Sequence, residues 1–278
     1  MKQKWISSAV VLLLIALAVP AVGAAPIAAP EAPLAAISLA GGVPYAQNFD
    51  TLANSGATNS AVPDGWALYE TGSSANATYA AGTGSTTAGD TYSFGAAGST
   101  ERAFGGLQSA NLTPTIGADF QNNTGATISS LGVSYHCEQW RLGALDRIDR
   151  MDFQYSLDAT SLSTGTWTDV DTLDCSGVLS TGTTGAKDGN INRIAVSGSV
   201  TSLSIASGAT FWLRWTAFDA SGSDDGLAMD DFQISAQNAT AVTLRTLSAA
   251  PQGVAAGLPL AGLALLGGLA AFVRRRKA

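Results

Sequence analysis

Two tryptophans stand beside groups able to orient a sugar: Trp140 is flanked by Glu138 and Arg141, and Trp212 lies two residues before Arg214. An aromatic ring with an apolar face, next to a cation and a carboxylate that hydrogen-bond hydroxyls, is the composition of a carbohydrate groove. The competing reading is that indoles of a small β domain pack its interior. A second chemistry is suggested by Asp230. Alternation along its strand groups it with Ala228, Phe232 and Ile234 on an inward face, where an unpaired carboxylate is costly. Calcium would compensate that charge through oxygen ligands, with Asp50, Asp90 and Asp225 as further donors. Arg102 or Arg214 is an alternative partner, and a break in strand register would instead return Asp230 to solvent.

Hydrolytic chemistry finds less support. A Ser/His/Asp arrangement would have to use His136, the chain's single histidine, which alternation places on an outer face with Ser134 and Glu138. No nucleophile-elbow motif accompanies it. The stretch Gly82-Thr83-Gly84-Ser85 lacks the lysine and the strand-to-helix setting of a phosphate loop and reads as a turn. Asp230 and Asp231 point to opposite faces of one strand, which argues against a shared acid/base role. Cys137 and Cys175 are the only cysteines, and with a lone histidine they lack the paired spacing of a zinc site. A disulfide is the expectation in an oxidising compartment, against two buried free thiols.

The elements that must position these groups are strands. Met151, Phe153, Tyr155 and Leu157 alternate with Asp152, Gln154, Ser156 and Asp158, and the pattern returns at Val133, Tyr135, Cys137 and at Phe211, Leu213, Trp215. Short β-prone runs at Thr91–Gly95, Arg102–Leu107, Trp167–Leu173 and Ile191–Val200 are separated by Gly/Ser/Thr/Asp turns. The expected fold class is all-β: a two-sheet antiparallel sandwich, a jelly roll, over residues 45–236, between linkers at 25–44 and 237–253.

Both ends read as membrane signals. Residues 1–24 carry Lys2 and Lys4, an apolar run and small residues, the pattern of a secretory signal peptide. Residues 254–273 hold no charge and suit one transmembrane helix, followed by Arg274-Arg275-Arg276-Lys277 in the basic tail 274–278, which fixes the tail on the cytoplasmic side. Six of the 14 basic residues and none of the 21 acidic ones lie in these ends, so the part between carries 8 − 21 = −13. That field disfavours nucleic acid as a partner and favours cations.

The ordered segments Phe49-Asp50, Pro63-Asp64-Gly65-Trp66, Gly89-Asp90-Thr91-Tyr92-Ser93-Phe94-Gly95, Arg102-Ala103-Phe104-Gly105-Gly106-Leu107 and Glu138-Gln139-Trp140-Arg141-Leu142-Gly143 carry a resemblance. With Asp152-Phe153-Gln154-Tyr155-Ser156 and Asp224-Asp225-Gly226-Leu227-Ala228-Met229-Asp230-Asp231-Phe232, they resemble the lectin-like β-sandwich module at the N-terminus of large bacterial extracellular nucleases. In those proteins catalysis belongs to a separate domain, so the resemblance implies a binding module, and its relatives' structural calcium points the same way as Asp230. The tail is similar to sorting signals of the PEP-CTERM type, which a membrane protease cuts, although Pro251-Gln252-Gly253 stands where Pro-Glu-Pro is expected. The sequence reading is therefore a non-catalytic, exported cell-surface protein that binds polysaccharide or matrix and is anchored or sorted through its C-terminal helix. A structural surface or biofilm component without a small ligand is one alternative; an accessory domain related to extracellular nucleases or a glycoside hydrolase is another.

Overall fold

A computed structural model describes residues 35–238. The segments read as a signal peptide (1–24) and as a membrane span (254–273), with the basic residues Arg274 to Lys277, lie outside the described residues, among which no helix is long and apolar enough to cross a membrane.

Fifteen strands and one 3-10 turn make up the fold: β1 (Ile37–Ala40), β2 (Tyr45–Gln47), β3 (Trp66–Thr71), β4 (Ala80–Gly82), β5 (Asp90–Phe94), β6 (Ala103–Leu107), β7 (Thr113–Asn123), β8 (Ile128–Leu142), β9 (Arg150–Ser156), β10 (Thr168–Asp169), β11 (Cys175–Ser176), β12 (Gly185–Ala186), β13 (Arg193–Val200), β14 (Thr210–Ala217) and β15 (Gly226–Asn238). They form two sheets. Sheet A runs β1-β7-β14-β9-β10, with β3 also beside β7 and β11 beside β9. Sheet B runs β12-β8-β15-β6-β5-β4, with β13 also beside β8 and β2 beside β15. Pairing is antiparallel except at β1/β7 and β4/β5, which are parallel. β1 falls within the segment read as a linker: Ile37 and Leu39 alternate with polar or small residues, and that period of two lets both side chains enter the core while the backbone extends β7's edge.

The inner faces of the two sheets bury one aromatic-rich core. Trp66 from sheet A stacks on Trp215 at 6.2 Å, and Phe232 from sheet B meets both rings edge-on, at 5.3 and 5.7 Å. Such edge-to-face contacts add to the area that large rings remove from water. The alternation expected at Val133, Tyr135 and Cys137, and at Phe211, Leu213 and Trp215, is the alternation observed. Leu157 departs from it, because β9 ends at Ser156 and the chain turns, leaving that side chain exposed. The run Trp167–Leu173 holds a two-residue strand and the 3-10 turn Asp171–Leu173, not one strand. Cys137 on β8 is disulfide-bonded to Cys175 on β11, so the bridge joins sheet B to sheet A.

Candidate functional site

The outer face of sheet A is arranged in rows that follow from strand register. Tyr69, Thr115, Thr216 and Asp152 share one row; Ala67, Gly117, Arg214 and Gln154 share the next; Asp119, Trp212 and Ser156 share a third. Residues 157–167 fold back over the second and third rows, where Ala159 and Leu162 close over Trp212 and Ala67. Gly117 allows this approach, since a Cβ there would meet Leu162 Cδ2 at 2.6 Å. Trp212, expected as a sugar platform, is therefore only 2% exposed. The aromatic groups that remain accessible are half-buried Tyr69 and Trp167, with Phe218 at the edge of the face.

Arg214 is the centre of this face. Its guanidinium carbon lies 3.9 Å from the centroid of the Trp167 ring, Nε donates to Gln154 Oε1 at 2.6 Å, and Nη1 donates to the Leu162 carbonyl at 2.7 Å. Burial lowers its pKa to about 10, partly opposed by the charge of Asp169. Gln154 Nε2 in turn donates to Asp169 Oδ1 at 2.5 Å, while Trp167 Nε1 donates to the Thr164 carbonyl. A second pair repeats the motif, Arg150 over Phe218 at 3.9 Å with its Nε donating to Asp152. Asp119, beside Trp212, keeps a buried Oδ1 with no hydrogen bond, and burial raises its pKa to about 6.

The other expected platform is also closed. Trp140, on the outer face of sheet B, is 2% exposed and lies parallel to Phe94 at 6.1 Å, which stacks on Tyr92 at 4.9 Å. Gly189 caps the indole; a Cβ at that position would lie 2.3 Å from it. Trp140 Nε1 donates to Glu138 Oε2 at 2.9 Å, and Arg141 Nη1 donates to the Gly84 carbonyl at 3.0 Å. These three residues hold loops to sheet B, and no sugar-facing surface remains at Trp140. The physical reason is that sheet B's outer face is itself covered around Trp140, so facing outward there does not mean facing water.

Below Trp140 lies a carboxylate cluster. One oxygen each of Glu101, Glu138 and Asp230 lies within 4.8 Å of the others, a grouping of three such donors found among the described residues. Asp230 arrives there through a β-bulge. Asp230 pairs with His136 but Gln233 with Ser134, so β15 holds one extra residue, and Asp231 takes a positive φ of 51°. The bulge shifts the alternation: Phe232 and Ile234 face the core, while Asp230 joins Ala228 and Glu138 on the outer side, still buried. Burial pushes Asp230 up to about 8 and Glu138 to about 7.

Asp50, Asp90 and Asp225 do not join it. Asp50 accepts from Asn48 Nδ2 and the Arg102 amide, Asp90 sits beside Glu70, and Asp225 is satisfied by Gln139 Nε2 at 2.7 Å and the Gly143 amide at 2.6 Å. Arg102 is not the partner of Asp230 either; its guanidinium bonds Ser93. The donor set that does form suits calcium, which takes hard carboxylate oxygens. Glu101 Oε1, Glu138 Oε1 and Asp230 Oδ1 are each buried without a hydrogen bond, the condition a bound cation would relieve.

No family model and no curated protein matches the chain. Among solved structures, the chain is similar to the CBM22-1 xylan-binding domain of Xyn10C from Paenibacillus barcinonensis, at 13% identity over 72% of this chain and 98% of that domain, TM-score 0.33. It is similar to TmCBM61 in complex with β-1,4-galactotriose, at 9% identity over 51% and 74% of the two chains, TM-score 0.28. It is also similar to isomalto-dextranase from Arthrobacter globiformis T6 complexed with panose, at 12% identity over 72% of this chain and 33% of that one, TM-score 0.31.

Proposed function

We propose that this sandwich is a non-catalytic, lectin-like jelly-roll module that binds polysaccharide on the outer face of sheet A. The observation that carries the reading is the accessible Trp167 ring backed by the Arg214 guanidinium, in rows that also present Gln154, Asp169 and Thr216. A sugar ring needs an aromatic surface for its C–H face and fixed polar groups for its hydroxyls, and this face offers both. In the same reading calcium sits among Glu101, Glu138 and Asp230, away from the sugar, and stiffens β6, β8 and β15. The protein is exported and held at the outer surface by its C-terminal segment; the disulfide is in keeping with that compartment.

The test is retention of the purified protein on a panel of insoluble polysaccharides, with calcium and with EDTA. Retention on one of them, weakened roughly tenfold or more by Trp167→Ala and by Arg214→Ala, is the expected result, since buried aromatic and arginine anchors dominate binding energy. EDTA lowers the melting temperature without abolishing retention. Retention indifferent to both substitutions would move the site elsewhere, and no retention on any polysaccharide would leave a structural surface component as the better description.

A further inference from the structure

The carboxylate cluster has a built-in competitor. Glu138 is wholly buried, and its Oε2 is taken by Trp140 Nε1 at 2.9 Å, which leaves Oε1 as the oxygen free for a cation. That same Oε1 faces Arg193 Nη1 at 3.5 Å, close enough for an ion pair but not a hydrogen bond. Arg193 has a second acceptor. Its Nη1 lies 3.8 Å from Oδ2 of Asp231, the exposed bulge residue, which also meets His136 Nδ1 at 3.2 Å. One half-exposed guanidinium therefore stands between a buried carboxylate that a cation needs and an exposed carboxylate that it does not.

We propose that Arg193 is the affinity-setting residue of the calcium site: it neutralises Glu138 when the site is empty and shifts to Asp231 when calcium binds. The inference rests on the calcium reading given above. A unit charge and a divalent ion cannot share one carboxylate oxygen in a buried setting without strong repulsion, so binding requires the guanidinium to leave Glu138. Asp231 supplies the place to go. Its exposure makes the new pair undemanding, because a surface ion pair costs little to form, and the cation takes over the neutralisation of buried Glu138. Residence of Arg193 on the edge strand β13, paired only to β8, gives the side chain room to swing.

Calcium titration of the EDTA-stripped full-length protein by calorimetry, with tryptophan fluorescence as a second signal through Trp140, distinguishes the possibilities. Arg193→Gln tightens Kd by about tenfold, the size expected on removing one unit charge from the neighbourhood of a divalent ion in a partly screened site. Asp231→Asn, well tolerated at a positive φ, weakens binding several-fold because Arg193 then stays on Glu138. In the double variant the Asp231→Asn effect disappears. Arg193→Gln binding no more tightly than the wild type would overturn the proposal, as would an Asp231→Asn effect of equal size in both backgrounds, since Asp231 would then act directly on the ion. If wild-type binding is present and lost in Glu138→Gln but indifferent to Arg193, the calcium site stands and the role of Arg193 falls. If no variant and no wild-type sample binds calcium, both fall together.

Discussion

Glu70 and Asp90 meet beneath the turn at residues 72–78, and their contacts show how a carboxylate pair is kept inside a protein. Glu70 Oε1 accepts from both the amide and the hydroxyl of Thr91 at 2.8 Å, and Oε2 accepts from the Asn76 amide at 2.9 Å. Glu70 thus has donors for both oxygens, whereas Asp90 accepts from the Thr91 amide and faces the Glu70 carboxylate. Burial, and then the charge of Glu70, raises Asp90 to about 7. A raised carboxyl pKa means that the folded state holds a proton which the unfolded chain has already released, so the stabilisation is full below pH ~4 and is lost as pH rises through about 7. Asp90→Asn removes this dependence. The melting temperature of the variant should exceed that of the wild type by about 3 °C at pH 8, the shift produced by roughly 1 kcal/mol in a domain of this size, and should match it at pH 4. A gain of equal size at both pH values would mean that the pair's proton is not the cause.

At the level of elements, two departures from ideal strands decide where chemistry sits. Strict alternation along β15 groups Asp230 with Phe232 and Ile234; the one-residue bulge at Asp231 breaks that grouping, and nothing in the types Asp-Asp marks which residue is extra. Asp230 is buried, but not on the inward face that alternation gives it: it lies on the outer side of sheet B, where the surroundings of Ala228, Glu138 and Trp140 are covered. The parity of Trp212 and Arg214 was legible, opposite Phe211 and Leu213. What periodicity could not show is that the loop 157–167 covers Trp212 and brings Trp167 to Arg214, a contact between segments about 50 residues apart in sequence that depends on the whole sheet being assembled. Glu101 escaped for the same reason, and Glu138, read as a sugar ligand beside Trp140, instead joins the buried carboxylate cluster. Leu162→Ala tests the loop's part: it removes a buried side chain from over Trp212 and should cost ~2 kcal/mol or more. Because Leu162 also presents its carbonyl to Arg214, a displaced loop should red-shift tryptophan emission and weaken polysaccharide retention together. Lost stability with unchanged emission and retention would show that the loop is only a cover.

Across the whole molecule, sheets A and B are held by the apolar core and by one covalent tie. Cys137 and Cys175 have Cα atoms 5.1 Å apart and close a loop of 38 residues that includes β9, β10 and the 3-10 turn. Both sulfurs are buried next to core residues of both sheets, so the bridge adds to a core already closed by Trp66, Trp215 and Phe232 and does not substitute for one. Its effect is then expected mainly in the unfolded chain, where a cross-link across this separation removes conformational freedom equivalent to ~4 kcal/mol. Replacing both cysteines with Ala should lower the melting temperature by roughly 10 °C while leaving the fold intact. The slope of stability against urea should rise, because an unfolded chain free of the cross-link exposes more surface. A loss of stability with an unchanged urea slope would place the effect in the native state, in the packing of the two sulfurs. No loss at all would mean that the aromatic core alone holds the two sheets together.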